Sequence, residues 1–232
     1  MGLILLMETS TEVCSVGLAK DGKIVGIKEN FEGNQHASQL HVLVDELLKE
    51  AHYNLNNLDA VAISKGPGSY TGLRVGVSSA KGYCFGLDIP LISIGTLDSL
   101  KNQVIEEIKP SEEYFIIPML DARRMEVYCG IWNQKSEQIQ EIEAKILDES
   151  SFSEYISETK TYFIGTGNDK FSKIISNENA VFKNNIYASV KGMAKEAENK
   201  FVKNEFEDTA YFEPYYLKEF VGTTPKKALH KL

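Results

Sequence analysis

Three short stretches of this 232-residue chain carry the residue types that do chemistry. Glu8-Thr9-Ser10-Thr11 sets an acid and three hydroxyls directly after the apolar run Leu3 to Met7. The end of a buried strand is where open α/β sheets bind ligands, although the hydroxyls of Thr9, Ser10 and Thr11 can equally satisfy a turn's own backbone. The second stretch, Lys65 to Gly86, follows the apolar run Leu58 to Ser64 and contains Gly66-Pro67-Gly68-Ser69-Tyr70-Thr71-Gly72. Its loop has no side-chain bulk at the glycines, so an anion or a partner's backbone can approach, and Ser69 or Thr71 can cap the following helix. It lacks the Lys-Ser/Thr ending of a P-loop and the Gly-x-Gly-x-x-Gly of a dinucleotide site. The third stretch is Asp121-Ala122-Arg123-Arg124. Of the four histidines, His36 and His41 are five apart, whereas a helical zinc pair needs a spacing of four with a glutamate between, so they read as ordinary polar histidines.

The elements that position these stretches follow from apolar periodicity. Leu3 to Met7, Val13 to Ala19 and Ile24 to Asn30 read as a three-stranded meander with Asp21-Gly22 as a hairpin turn. Between Ala37 and Ala51, Leu40, Leu43, Val44, Leu47, Leu48 and Ala51 form the stripe of an amphipathic helix, with Val42 off it. Leu58 to Ser64 is a buried strand, the segment after the glycine loop a helix, Pro90 to Ile94 a strand, and Thr96 to about Ile108 a helix ended by Pro110. A second meander, Tyr114 to Leu120, Glu126 to Trp132 and Ile139 to Leu147, opens a second half. It continues with helices over Ser150 to Glu158, Asp169 to Ser176 and Ala188 to Asn204, a strand at Tyr162 to Ile164, and the small loop Gly165 to Asn168. The expected domains are therefore 1–110 and 111–232. The tail from Pro214 carries Tyr215, Tyr216, Leu217, Lys218, Phe220, Lys226 and Lys227, and is expected to end in disorder.

Glycine in a helix costs roughly 1 kcal/mol relative to alanine, so Gly72, Gly76 and Gly82 in one helix need a reason. The face Gly72, Gly76, Ala80 is read as a docking surface for a second helix; the competing reading is a neighbour from the same chain. The leucine stripe of the preceding helix is expected to join it. The partner surface is accordingly expected at Leu40, Leu43, Leu47, Leu48, Gly72, Leu73, Arg74, Gly76, Val77 and Ala80.

Composition narrows the classes. With 43% hydrophobic residues the chain can bury a sizeable core, and a net charge of −8 argues against broad electrostatic binding of nucleic acid. Cys14, Cys84 and Cys129 are an odd, widely spaced set among apolar neighbours and read as reduced core thiols. The first residues meet Glu8 too early for a signal sequence, and no apolar run approaches the roughly 18 residues of a membrane span. A cytoplasmic protein is expected.

Several of these stretches together resemble a known family. Leu3 to Thr11 followed by Cys14-Ser15-Val16, His36 before an amphipathic helix, Gly66-Pro67-Gly68-Ser69-Tyr70-Thr71-Gly72-Leu73-Arg74-Val75-Gly76, Asp121-Ala122-Arg123 with Glu126-Val127-Tyr128, and Pro214-Tyr215-Tyr216-Leu217-Lys218 are similar to the bacterial TsaB (YeaZ) family. The resemblance covers nearly the whole chain. It implies an α/β fold with two lobes of the actin, sugar kinase and Hsp70 type, each a mixed sheet flanked by helices. It also implies a role in making N6-threonylcarbamoyladenosine at adenosine 37 of tRNAs that read A-starting codons. In that system TsaC makes threonylcarbamoyl-adenylate, TsaD transfers the group to tRNA, TsaE is an ATPase, and this family is the non-catalytic scaffold that its paralogue TsaD needs. The partners so implied are TsaD, TsaE and, through the complex only, tRNA. A homodimer is expected for the chain alone, with no membrane contact, no cofactor in the isolated chain, and ATP or ADP at the junction with TsaD.

The sequence fits a lost nucleotide site. In nucleotide-using members of this fold an aspartate ends the first strand before a glycine-rich turn, and a second Asp-x-Gly turn opens the second half. Here Glu8-Thr9-Ser10-Thr11 stands at the first position, and Asp121-Ala122-Arg123 lacks the glycine at the second. The alternatives are an ATPase or sugar kinase-like enzyme, which would have to use Glu8, Asp121 and the loop Gly165 to Asn168, and a metalloprotease-like protein. The second would need zinc ligands, and the His-x-x-x-His pair of TsaD has no counterpart among His36, His41, His52 and His230.

Overall fold

The chain's longest apolar runs make its central strands. The computed structural model describes residues 2–33, 35–105, 108 and 113–218. β1 (Leu3–Glu8) is buried at every position, as a continuous Leu-Ile-Leu-Leu-Met run requires of a strand covered on both faces. β2 (Cys14–Lys20) and β3 (Lys23–Asn30) follow antiparallel, joined by Asp21 and Gly22, both at positive φ (53° and 72°), the backbone that an Asp-Gly hairpin turn supplies. β4 (Ala60–Gly66) and β5 (Leu91–Gly95) add in parallel, giving the order β3-β2-β1-β4-β5.

The second sheet repeats this plan. β6 (Tyr114–Asp121), β7 (Glu126–Asn133) and β8 (Gln138–Ile146) form the antiparallel meander, and β9 (Lys160–Ile164) and β10 (Ala180–Lys183) add in parallel on the other side of β6. Two mixed sheets of the same connectivity, flanked by helices, are the two-lobed architecture expected from the sequence.

The helices settle which sequence half packs where. α1 (His36–Glu50) and α2 (Tyr70–Leu87) cover one face of the first sheet, joining Leu40, Leu43, Leu47, Leu48, Val77 and Ala80 to Leu5, Met7, Val16 and Ile63 in one core. Of the short helices, α4 (Ser153–Ile156) and α5 (Asn168–Phe171) set Phe152 and Phe171 against Phe163 on the second sheet. α3 (Thr96–Ile105), from the first half, packs Leu97, Leu100 and Val104 on the second sheet, while α6 (Ala194–Val202), from the second half, packs Ala194 and Ala197 on the first. Sequence halves and packed lobes therefore do not coincide. Pro110 and the 109–112 boundary lie outside the described residues, as does the tail from residue 219.

Some expectations need correction. The helices read over Ser150 to Glu158 and Asp169 to Ser176 are single turns, the first entered from Phe152 at φ 60°. The helix read over Ala188 to Asn204 is broken into a 3₁₀ turn at Val190–Gly192 and α6, because Gly192 lies against α3: a Cβ there would fall 1.8 Å from the Ser99 carbonyl oxygen. β10 has only partly buried residues, and it carries no strong strand signal in the sequence.

Candidate functional site

The glycine loop and the first turn meet each other. Ser69 caps α2, its Oγ accepting from the Gly72 amide, and its own N–H donates to the Ser10 carbonyl at 2.6 Å. A Cβ on Gly68 would lie 2.3 Å from that carbonyl oxygen, and one on Gly72 would lie 2.0 Å from the Thr9 carbonyl oxygen. Thr9 Oγ1 donates to the Gly72 carbonyl at 2.9 Å. The close approach foreseen for this loop is thus made by the chain itself. On the loop's other side, Gly66 at φ 114° leaves room for Tyr215, whose N–H donates to the Lys65 carbonyl at 2.7 Å.

Glu8 lies beneath this contact, fully buried. Its Oε1 accepts from the Ser10 amide (2.6 Å) and from Ser64 Oγ (2.7 Å), while Oε2 has no partner among the described residues. Burial pushes its carboxyl above the usual carboxylate range, opposed by the hydrogen bonds from Ser10 and Ser64. An acid so enclosed is tied into the turn through Oε1 and is closed off from solvent. Thr9, Ser10 and Thr11 are buried with it.

Asp121, the other acid foreseen, stands at the end of β6. Its backbone N–H donates to Thr166 Oγ1 (3.1 Å), and its carboxylate takes the Arg123 N–H (2.6 Å) and Lys170 Nζ (2.9 Å). It lines a cavity of about 300 Å³ between the lobes, together with Glu12, Gly165, Thr166, Asn168 and Asp169. The structure thus brings Asp121 together with the loop Gly165 to Asn168, and Glu8 does not line that cavity. The first lobe contributes Glu12 instead, which the sequence reading missed although it follows Thr11. Three carboxylates, Glu12, Asp121 and Asp169, thus line the space, and Asp121 among them is paired with Lys170 Nζ.

The ten residues expected to form a partner surface divide sharply. Leu40, Leu43, Leu47, Leu48, Gly72, Leu73, Gly76, Val77 and Ala80 are buried against their own sheet and turn; Arg74 alone is exposed. A Cβ on Gly76 would fall 2.1 Å from Thr9 Oγ1 and 3.0 Å from Ile63 Cδ1, so the face read as a docking surface is core. The outward face of α2 carries Arg74, Ser78, Gly82 and Phe85, with Phe85 88% exposed and open space beside Gly82 and Gly86. On α1 the off-stripe Val42 is 47% exposed. Between the two helices His41 Nδ1 pairs with Tyr83 OH (2.8 Å) and Nε2 with Ser79 Oγ (3.2 Å), an ordinary polar contact. The three cysteines are buried free thiols. None of the described helices is long and apolar enough to cross a membrane.

Comparison with known proteins places these features. Residues 22–219 match the family described as TsaD, tRNA N6-adenosine threonylcarbamoyltransferase. A Buchnera aphidicola (subsp. Baizongia pistaciae) protein called tRNA threonylcarbamoyladenosine biosynthesis protein TsaB is 32% identical over 183 residues, 74% of this chain and 78% of that one. Its Haemophilus influenzae namesake is 38% identical over 125 residues, 54% of this chain but 51% of that one, so the match spans about half of the relative's length. Among solved structures, YeaZ from Pseudomonas aeruginosa superposes with a TM-score of 0.78 at 26% identity, covering 94% of this chain and 100% of the other.

Proposed function

The chain belongs to the TsaB (YeaZ) branch of the TsaD family, and from that membership we propose that it is a non-catalytic scaffold for threonylcarbamoyl transfer to adenosine in tRNA. The observation that carries the non-catalytic reading is the contact of Ser69 N–H with the Ser10 carbonyl at 2.6 Å. That contact closes the first turn with the chain's own loop, where a nucleotide-using protein of this fold would need room for phosphate.

A scaffold needs a face for its partner. The outward side of α2 offers Phe85 beside two glycines with open space over them, and α1 adds Val42. An exposed phenylalanine between small residues suits a helix of the partner, which can approach closely at glycine. The proposed occupant is the TsaD paralogue, with a second copy of this chain taking its place when the paralogue is absent. TsaE and nucleotide would join at the junction between the two paralogues, and tRNA would be held by the assembly.

The pure chain is expected to hydrolyse no ATP and to modify no tRNA. Steady ATP turnover abolished by Asp121→Ala would overturn the non-catalytic reading in favour of a kinase-like one.

A further inference from the structure

Arg123 and Arg124 are the only neighbouring non-glycine residues among those described that both take left-handed backbone (φ 71° and 47°), and both are exposed. That backbone is disfavoured for any residue with a Cβ, and asparagine or glycine would hold the turn with less strain. Folding alone therefore gives no reason for two arginines here. Strain of this kind gathers where a side chain is wanted for something other than the fold.

The charges around the turn point the same way. Of the two acids that flank it, Asp121 is paired with Lys170 Nζ at 2.9 Å and Glu126 with Lys218 Nζ at 2.5 Å. Neither arginine side chain has an ion pair or hydrogen bond among the described residues, so two unneutralised guanidinium groups stand out from a chain of net charge −8. Lys218 is held at this same spot by its pair with Glu126.

We propose that the Arg123–Arg124 turn is a phosphate-contacting site for RNA, one that helps hold the tRNA within the assembly; this rests on the scaffold role proposed above. Guanidinium groups bind phosphate with paired N–H donors and keep their charge at every physiological pH. An acidic protein surface could meet the same guanidinium groups beside the exposed Met125, and the capture arm of the test separates it from RNA.

The test uses the full chain and fluorescently labelled tRNA, titrated over a series of salt concentrations from low salt upward. Each phosphate contact steepens the fall of log K with log salt by about 0.7 on single strands to about 0.9 on B-form duplex. The double variant Arg123→Asn with Arg124→Gly is expected to melt no lower than the wild type, to bind about tenfold more weakly at low salt, and to lose about 1.5 from that slope. An unchanged slope, or no binding by the wild type even at low salt, overturns the assignment. So does a variant that melts well below the wild type, since the arginines would then serve the fold. A variant that keeps the slope but no longer captures the TsaD paralogue would make the turn a protein contact and overturn it too. Loss of slope in a chain that never captures the paralogue would leave the RNA site standing and remove the scaffold reading instead.

Discussion

Thr9 Oγ1 sits where a side chain on Gly76 would have to be: a Cβ there falls 2.1 Å from that oxygen, which itself donates to the Gly72 carbonyl at 2.9 Å. The first turn and α2 are thus fitted to each other at backbone distance. Adding one methyl group at Gly76 should cost about 1 to 3 kcal/mol, the range for overpacking a filled site, and Gly76→Leu should abolish cooperative thermal unfolding. Gly82, on the same helix but facing open space, should respond in the opposite direction. Gly82→Ala should raise stability by up to about 1 kcal/mol through helix propensity. Thermal melts of the single variants check both signs.

Glu8 gives a pH-dependent prediction. Its folded pKa is raised above 4.5 by burial, with Ser10 and Ser64 hydrogen bonds opposing. The folded state therefore holds this proton more tightly than the unfolded chain does. Glu8 contributes stability that is fully present below pH 4.5 and is lost as pH rises through the folded value. Glu8→Gln, which keeps the volume and the acceptor for Ser10 and Ser64, removes that dependence. The stability difference between Glu8→Gln and the wild type should move in favour of the variant as pH rises from below 4.5 to neutrality. A difference that stays flat over this range would show that Glu8 is not held in an enclosed site.

The thiols offer a third check. Burial pushes Cys14 up to about 11 and Cys84 and Cys129 up to about 12, with the Glu8 carboxyl adding to the effect at Cys14 and Glu143 at Cys129. Thiolate is the reactive form, so a thiol reagent at pH 8 should modify none of the three in the native protein and all three after denaturation. Modification of native Cys14 at a rate near that of free cysteine would mean that the first turn opens readily.

Much of the fold was legible because it rests on strong local patterns. The leucine-rich β1, the Asp21-Gly22 hairpin and the stripe of α1 each have one structural solution. The packing partner of a stripe is not local information. Leu43 and Gly76 look alike in sequence whether they face a sheet of the same chain or a helix of another, and both turned out to face inward. Phe85 and Val42, which lie off the stripes, are what the outside offers instead. The crossing of α3 and α6 between lobes depends on tertiary packing and leaves no periodic trace. Glu12 in the Asp121 cavity, like the seat of Tyr215 on Gly66, joins residues distant in sequence.

The most direct test of the scaffold account is co-expression of the chain with a tagged TsaD-type paralogue from the same cell, using wild type and Phe85→Glu. The wild type should co-purify with the paralogue, and Phe85→Glu, melting like the wild type because Phe85 is 88% exposed, should bind at least about tenfold more weakly, a loss of roughly 1.4 kcal/mol or more. Capture of a normally folded Phe85→Glu as efficient as that of the wild type would contradict the assigned face, and failure of the wild type to co-purify would contradict the scaffold role itself.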